Sequence, residues 1–152
     1  MHIDLQLRLV HQDDNIKVEV DENAKFIYLE WLQAPPTEEF RKAFHLAGMI
    51  CLEYKCEYWL SEARPIPYLE FADQNWVLRE MKPILIKSTL KKYARISSKE
   101  SISLLDIHRI YSALNDEQDP NLKTHFESFT SKDAALDWLF SDFEQDKLSE
   151  EE

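Results

Sequence analysis

The sequence predicts an α/β domain: a mixed β-sheet with antiparallel N-terminal strands and a parallel half, with about four helices packed on it. Three observations carry this. Residues 3–32 hold three strand-like runs separated only by short polar turns, the usual signature of antiparallel neighbours. From Thr37 onward, segments with helical apolar spacing alternate with short strand-like runs, as parallel crossovers require. Between them, Cys56 to Arg64 reads as a buried strand ending in a charged Glu-x-Arg step, followed by a proline-rich loop and an amphipathic helix from Asp73. That order belongs in the middle of an open sheet.

Taken in order, Ile3, Leu5, Leu7 and Leu9 alternate with Asp4, Gln6 and Arg8, giving a strand over 3–10 that the polar cluster His11 to Asn15 breaks. Ile16, Val18 and Val20 alternate with Lys17, Glu19 and Asp21, and Lys25 to Leu32 forms a third strand, denser in aromatic and β-branched residues. Pro35 and Pro36 end the meander. Thr37, followed by Glu38 and Glu39, starts a helix by offering a hydroxyl to free N–H groups and acids to the positive dipole end. Phe40, Ala43, Phe44, Ala47, Cys51 and Tyr54 form its apolar stripe. Gly48 in its middle costs about 1 kcal/mol relative to Ala, and is read as a close approach to the sheet.

The central strand spans 56–61. Asp73 is the expected N-cap of the next helix, with Trp76, Val77, Met81, Ile84 and Leu85 inward and Pro83 kinking or ending it. Tyr93 to Ile96 is a short strand. Ser97 with Glu100 is a capping box for a third helix bearing Leu104, Ile107, Tyr111 and Leu114, and Asn115 to Asn121 is a loop. Thr124 to Phe129 is the last strand, and Thr130 with Asp133 caps a final helix carrying Leu136, Leu139, Phe140 and Phe143. Residues 1–143 read as one domain, with 144–152 an acidic, disordered tail.

Composition narrows the function. A chain of 152 residues buries roughly 68–70% of its unfolded surface, so a core forms without disulfides. With 29 acidic against 18 basic residues the net charge is −11, which disfavours nucleic acid and anionic membranes as partners. The single glycine excludes Walker and dinucleotide phosphate loops, which need several at fixed spacing. Cys51 and Cys56 fit buried reduced thiols, and the five histidines lack ligand spacing, so no metal or other cofactor is expected. No signal-like N-terminus and no membrane-length apolar run stands in the sequence, so a cytoplasmic protein without stable membrane insertion is expected.

Glu62 and Arg64 lie two apart on extended chain and so point to one side, as an ion pair or a polar pocket wall at the carboxyl end of the central strand. Trp76, with Arg79 and Glu80 near it on the next helix, sets an aromatic face beside a guanidinium that suits a planar or anionic group. For both sets the blander readings, a pinned loop and a core tryptophan, weigh more. Eighteen aromatics exceed what one core readily holds, so some of Trp31, Tyr58, Tyr68, Phe71 and Trp138 are expected at an interface, with a homodimer as the expectation.

The succession of Trp31, Thr37-Glu38-Glu39-Phe40, Trp59-Leu60 with Arg64, Asp73-Gln74-Asn75-Trp76, Pro83, Phe129 and Ala135-Leu136-Asp137-Trp138-Leu139 resembles small bacterial proteins of the STAS-like class, over residues 16–141. The resemblance implies a four- or five-stranded sheet covered by helices, and a role in protein–protein regulation or, in some members, small-ligand or lipid contact. The phospho-regulated relatives carry a serine in an Asp-Ser-Ser-Gly-like turn after the central strand. Here that region is Ser61-Glu62-Ala63-Arg64-Pro65-Ile66-Pro67, without glycine, so a phosphoswitch at Ser61 is not expected. Glu62 also stands where such relatives tend to carry Asp. The leading expectation is a non-enzymatic regulatory or interaction module that binds another protein. The alternative is a small-ligand or lipid carrier or sensor with its pocket at the carboxyl ends of the central strands, near Glu62, Arg64 and Trp76. Catalysis by Glu62 ranks last.

Overall fold

The computed structural model describes residues 4–66, 69–99 and 121–142, with Phe71 described by its backbone alone. Six strands form one sheet in strictly sequential order: β1 (Arg8–Gln12), β2 (Ile16–Asp21), β3 (Phe26–Trp31), β4 (Tyr58–Glu62), β5 (Lys92–Ile96) and β6 (His125–Phe129). The first three pair antiparallel, and β3 to β6 pair parallel. The mixed sheet follows the sequence reading and has more strands than the STAS-like resemblance implied. Among the described residues three helices pack on it: α1 (Thr37–Glu53), α2 (Phe71–Lys87) and α3 (Lys132–Leu139). The capping box at Ser97 and Glu100, the helix through Leu114, the loop after it, Tyr68, Phe143 and the acidic tail lie wholly or largely outside the described residues.

The crossovers β3–α1–β4 and β4–α2–β5 step the same way along the sheet. Right-handed connections therefore put α1 and α2 on one face. There Ile16, Val18, Ile27, Leu29, Trp31, Trp59 and Tyr93 meet Phe40, Ala47, Val77, Met81 and Leu85 in the larger core. Helix α3 leaves the last strand and covers the other face, where Phe26, Tyr58, Leu60, Ala94 and Ile96 bury Ala135, Leu139 and Phe140. The strands from β3 to β5 are buried on both faces, which is why they read as dense apolar runs. Lys92 fastens α3 through bonds from Nζ to the Trp138 carbonyl at 2.9 Å and Ser141 Oγ at 2.8 Å.

Several local expectations are corrected. Strand β1 starts at Arg8, and residues 4–7 before it are not strand: Gln6 N–H donates to Asp21 Oδ2 at 2.8 Å, and a bulge between Leu9 and His11 breaks the period-two pattern. Thr37 does not cap α1. Its hydroxyl donates to Asp73 Oδ2 at 3.3 Å, while Pro36 is the N-cap without a side-chain bond. Asp73 in turn sits inside the first turn of α2, whose N-cap is Glu70. Ser131, not Thr130, caps α3 by accepting from Ala134 N–H. Of the two outcomes expected at Pro83, the ending is contradicted, since α2 runs on past it to Lys87. Gly48 faces α2 rather than the sheet: a Cβ there would lie 3.2 Å from Met81 Cε. Of the aromatics expected at an interface, Trp31 and Tyr58 are core residues, and Trp138 packs on Phe129 and Lys92. Cys51 and Cys56 are buried free thiols, as expected.

Candidate functional site

The site begins with the alternation of β4 and β5. Trp59 and Ser61 on β4, and Tyr93 and Arg95 on β5, share the face covered by α1 and α2. Register places Ser61 opposite Arg95 and Arg95 opposite Ser128 on β6. A row of three polar residues therefore crosses an otherwise apolar face near the carboxyl ends of three parallel strands. Open α/β sheets tend to bind ligands at that end.

Above this row lies a cavity of about 40 Å³. Its floor is Trp31, Trp59, Tyr93 and Phe126 from the sheet; Phe40 and Phe44 of α1 and Val77, Met81 and Leu85 of α2 form the roof. At the carboxyl end of β4, Ala63, Ile66 and Leu69 line the cavity. Ala63 N–H extends the ladder to Ile96 O at 2.9 Å, Ile66 N–H turns back to Ala63 O at 2.9 Å, and Gln74 Nε2 holds the Leu69 carbonyl at 2.8 Å. Ile66 and Leu69 are thereby set over the cavity. A wider groove of about 430 Å³ lies beyond the amino end of β5, between Glu57, Lys91 and Lys123. Lys91 there is engaged by Glu57 at 3.0 Å.

Two polar side chains of the cavity, Ser61 and Arg95, are 1% and 5% exposed. Tyr93 beside them has its hydroxyl pushed up to about 12 by burial, against the pull of the Ser61 hydroxyl and the Arg95 charge, so it is neutral at pH 7. Arg95 is the anomaly. Its Nη1 is buried without a hydrogen-bond partner, and no carboxylate pairs with it among the described residues. A guanidinium keeps its charge in proteins, and a buried charge without a counter-charge is strongly unfavourable. Ser128 Oγ and Ser97 Oγ, on the same side of the sheet as Arg95, are also buried without partners, as is Nε1 of Trp59 in the cavity floor.

The residues singled out from sequence do not converge. Arg64 Nε donates to Glu62 Oε1, the anticipated ion pair, but Glu62 points to the opposite face beside Tyr28 and Glu30. There burial and the Glu30 and Glu62 carboxylates raise the Tyr28 hydroxyl well above its ordinary value. Glu62 Oε2 is buried without a partner. Trp76 is on the α1–α2 side, edge-on to Phe40 with ring centres 6.4 Å apart and with the Arg41 guanidinium 5.8 Å above its ring. Arg79 is exposed and bonded to Glu80 at 3.2 Å. None of the four lines the cavity.

Arg95, Ser97 and Ser128 were missed because Arg95 on a short strand reads as one more solvent-facing position. The usable signal was strand order: a charge on an interior strand, with helices on both faces, has to be buried. Among the described residues no cluster of His, Cys, Asp and Glu is arranged to hold a metal ion, and no helix is long and apolar enough to cross a membrane. Comparison with family models, with curated proteins and with solved structures finds no match to this chain.

Proposed function

We propose that the protein is a small-ligand-binding module, a carrier or sensor, whose ligand lies in the cavity between β4, β5 and the helices α1 and α2. The observation that carries this is Arg95: a buried guanidinium on the wall of an apolar cavity, with no counter-charge among the described residues. A fold tolerates such a group when something else supplies the missing acceptor. Relative to the sequence expectation, the end of the sheet is kept and the binding residues move from Glu62, Arg64 and Trp76 to Arg95 and Ser61. Small-ligand contact is also one of the roles that the STAS-like resemblance implies.

Native mass spectrometry of gently purified protein tests the reading. The expected result is an adduct of defined mass on the wild type that is missing from Arg95→Met. Arg95→Met should also unfold no earlier than the ligand-free wild type, because an apolar side chain replaces an uncompensated buried charge. A wild type free of adduct, together with an Arg95→Met variant that is much less stable, would make Arg95 structural and end the proposal.

A second reading, binding of another protein, is favoured by β1. Leu9 on this outermost strand is 51% exposed and Leu7 just before it is 38% exposed, and the strand's outer edge pairs with no other strand among the described residues. An unpaired edge with apolar side chains is a template for an added strand. Leu9→Lys would remove a partner captured this way and leave the cavity ligand in place.

A further inference from the structure

The chemistry of the unpartnered atoms specifies the ligand. Resting on the reading that the cavity binds a ligand, we infer that this ligand is a short monocarboxylate with an apolar body, its carboxylate against Arg95 and its hydrocarbon against Trp59, Phe44 and Met81.

The sign of the charge comes from what is left unsatisfied on this face. Arg95 Nη1 and Trp59 Nε1, both from residues that line the cavity, are donors only. Among the described residues, Glu62 Oε2 is the one carboxylate oxygen that is buried and unpartnered, and it belongs to the opposite face. The site therefore demands acceptors, and a guanidinium demands an anion, preferably one that meets its planar fork with two oxygens. Inorganic phosphate fits poorly. It carries more charge than one guanidinium neutralises and would lose its hydration to apolar walls. A carboxylate brings one charge and leaves the remainder of the molecule to the hydrophobic lining.

Size follows from the cavity. A space of about 40 Å³ holds a few water-sized groups, so a long acyl chain does not fit without rearrangement. The part of the wall best able to yield is Met81, an unbranched flexible side chain. Tyr93 is held neutral, so it adds no negative charge to repel the ligand.

Butyrate is a suitable probe, with butanamide as its neutral isostere, n-butylamine as the opposite charge and inorganic phosphate as the anion without an apolar body. Tryptophan fluorescence and thermal unfolding of the full chain are followed during titration at constant ionic strength. The expected result is a saturable response to butyrate, binding of butanamide at least about tenfold weaker, and no response to butylamine or phosphate. Arg95→Met should weaken butyrate about a hundredfold, as loss of a charge-assisted bidentate contact requires. Trp59→Phe, which keeps the ring packing and removes one N–H donor, should weaken it about tenfold while the protein remains folded.

Equal binding of butyrate and butanamide would overturn the carboxylate, as would a preference for phosphate or undiminished butyrate binding in folded Arg95→Met. A co-purified adduct that proves neutral or cationic would overturn this inference and leave the cavity reading standing. With no adduct and no response to any of the four probes, both would fall.

Discussion

Arg41 Nε donates to Asp73 Oδ1 at 3.1 Å, joining the second turn of α1 to the first turn of α2. The other Asp73 oxygen accepts from Thr37 Oγ1 at 3.3 Å, and the Arg41 guanidinium lies over Trp76. One buried carboxylate thus sets how the two helices start together, and those helices roof the cavity. Asp73→Ala should lose about 2–3 kcal/mol, since it leaves Arg41 and Thr37 without their acceptor in a half-buried place. Asp73→Asn, which can still accept from one of them, should lose about half as much. Urea unfolding midpoints with unchanged slopes are the check, and an Asp73→Ala midpoint equal to wild type would mean that the helices are aligned by apolar packing alone.

Lys55 closes α1 in the left-handed region with φ of 52°, where its N–H bonds Leu52 O at 3.2 Å and the next N–H, of Cys56, bonds Cys51 O at 3.0 Å. This paired closure is ordinarily made by glycine, and a side chain with a Cβ pays a penalty there. Lys55→Gly should stabilise the protein by about 0.5–1 kcal/mol. Lys55→Ala should gain nothing, because it keeps the Cβ. A thermal melt comparing both variants with wild type separates backbone strain from loss of the lysine charge.

How far the sequence was legible follows from the range of the forces involved. Strands β2 to β5 and the stripes of α1 and α2 are set by local periodicity, and Phe40, Ala43, Ala47 and Cys51 are buried as their spacing requires. The caps were misread because capping is a competition. Thr37 had its own helix N–H groups within reach and bonds Asp73 instead, 36 residues away. Gly48 carried a correct message, close approach, whose target was a helix rather than the sheet, since a helix presents more than one face to its neighbours. Arg95 was invisible for a related reason: nothing in Tyr93-Ala94-Arg95-Ile96 tells that β4 and β6 flank it and that helices lie above and below.

At Gly48 an added Cβ meets Met81 Cε at 3.2 Å and Ile84 Cδ1 at 3.4 Å, both side-chain ends. Gly48→Ala gains about 1 kcal/mol of helix propensity, which displacement of Met81 largely offsets, leaving net stability close to wild type. Met81 lines the cavity, so the displaced methyl group reduces the space for a ligand. The variant should therefore melt as wild type does and bind butyrate several-fold more weakly. Gly48→Leu, too large for the same adjustment, should lose about 2 kcal/mol by overpacking. An alanine variant with unchanged butyrate affinity would disconnect Met81 from the ligand.

The turn between β1 and β2 gives the stability a dependence on pH. Asp13 Oδ1 accepts from Asn15 N–H at 2.8 Å and Ile16 N–H at 3.0 Å, and Oδ2 lies 2.8 Å from His11 Nε2. Partial burial pushes its carboxyl up, but the His11 bond and the two amides outweigh that and hold it below the ordinary aspartate value. A carboxyl lowered on folding stabilises the native state above its unfolded-state value of about 4, and that contribution fades as pH falls through the folded value. At pH 7 Asp13→Ala should lose about 1 kcal/mol, limited by the exposure of the pair to solvent. As pH falls below the unfolded-state value the gap between wild type and variant should narrow, because the advantage of the charged carboxylate is lost as pH drops through the lowered folded value. Urea midpoints of both proteins at pH 7, 5 and 3 decide it. A gap of constant size would place the contribution in the backbone preference of the turn rather than in the charge.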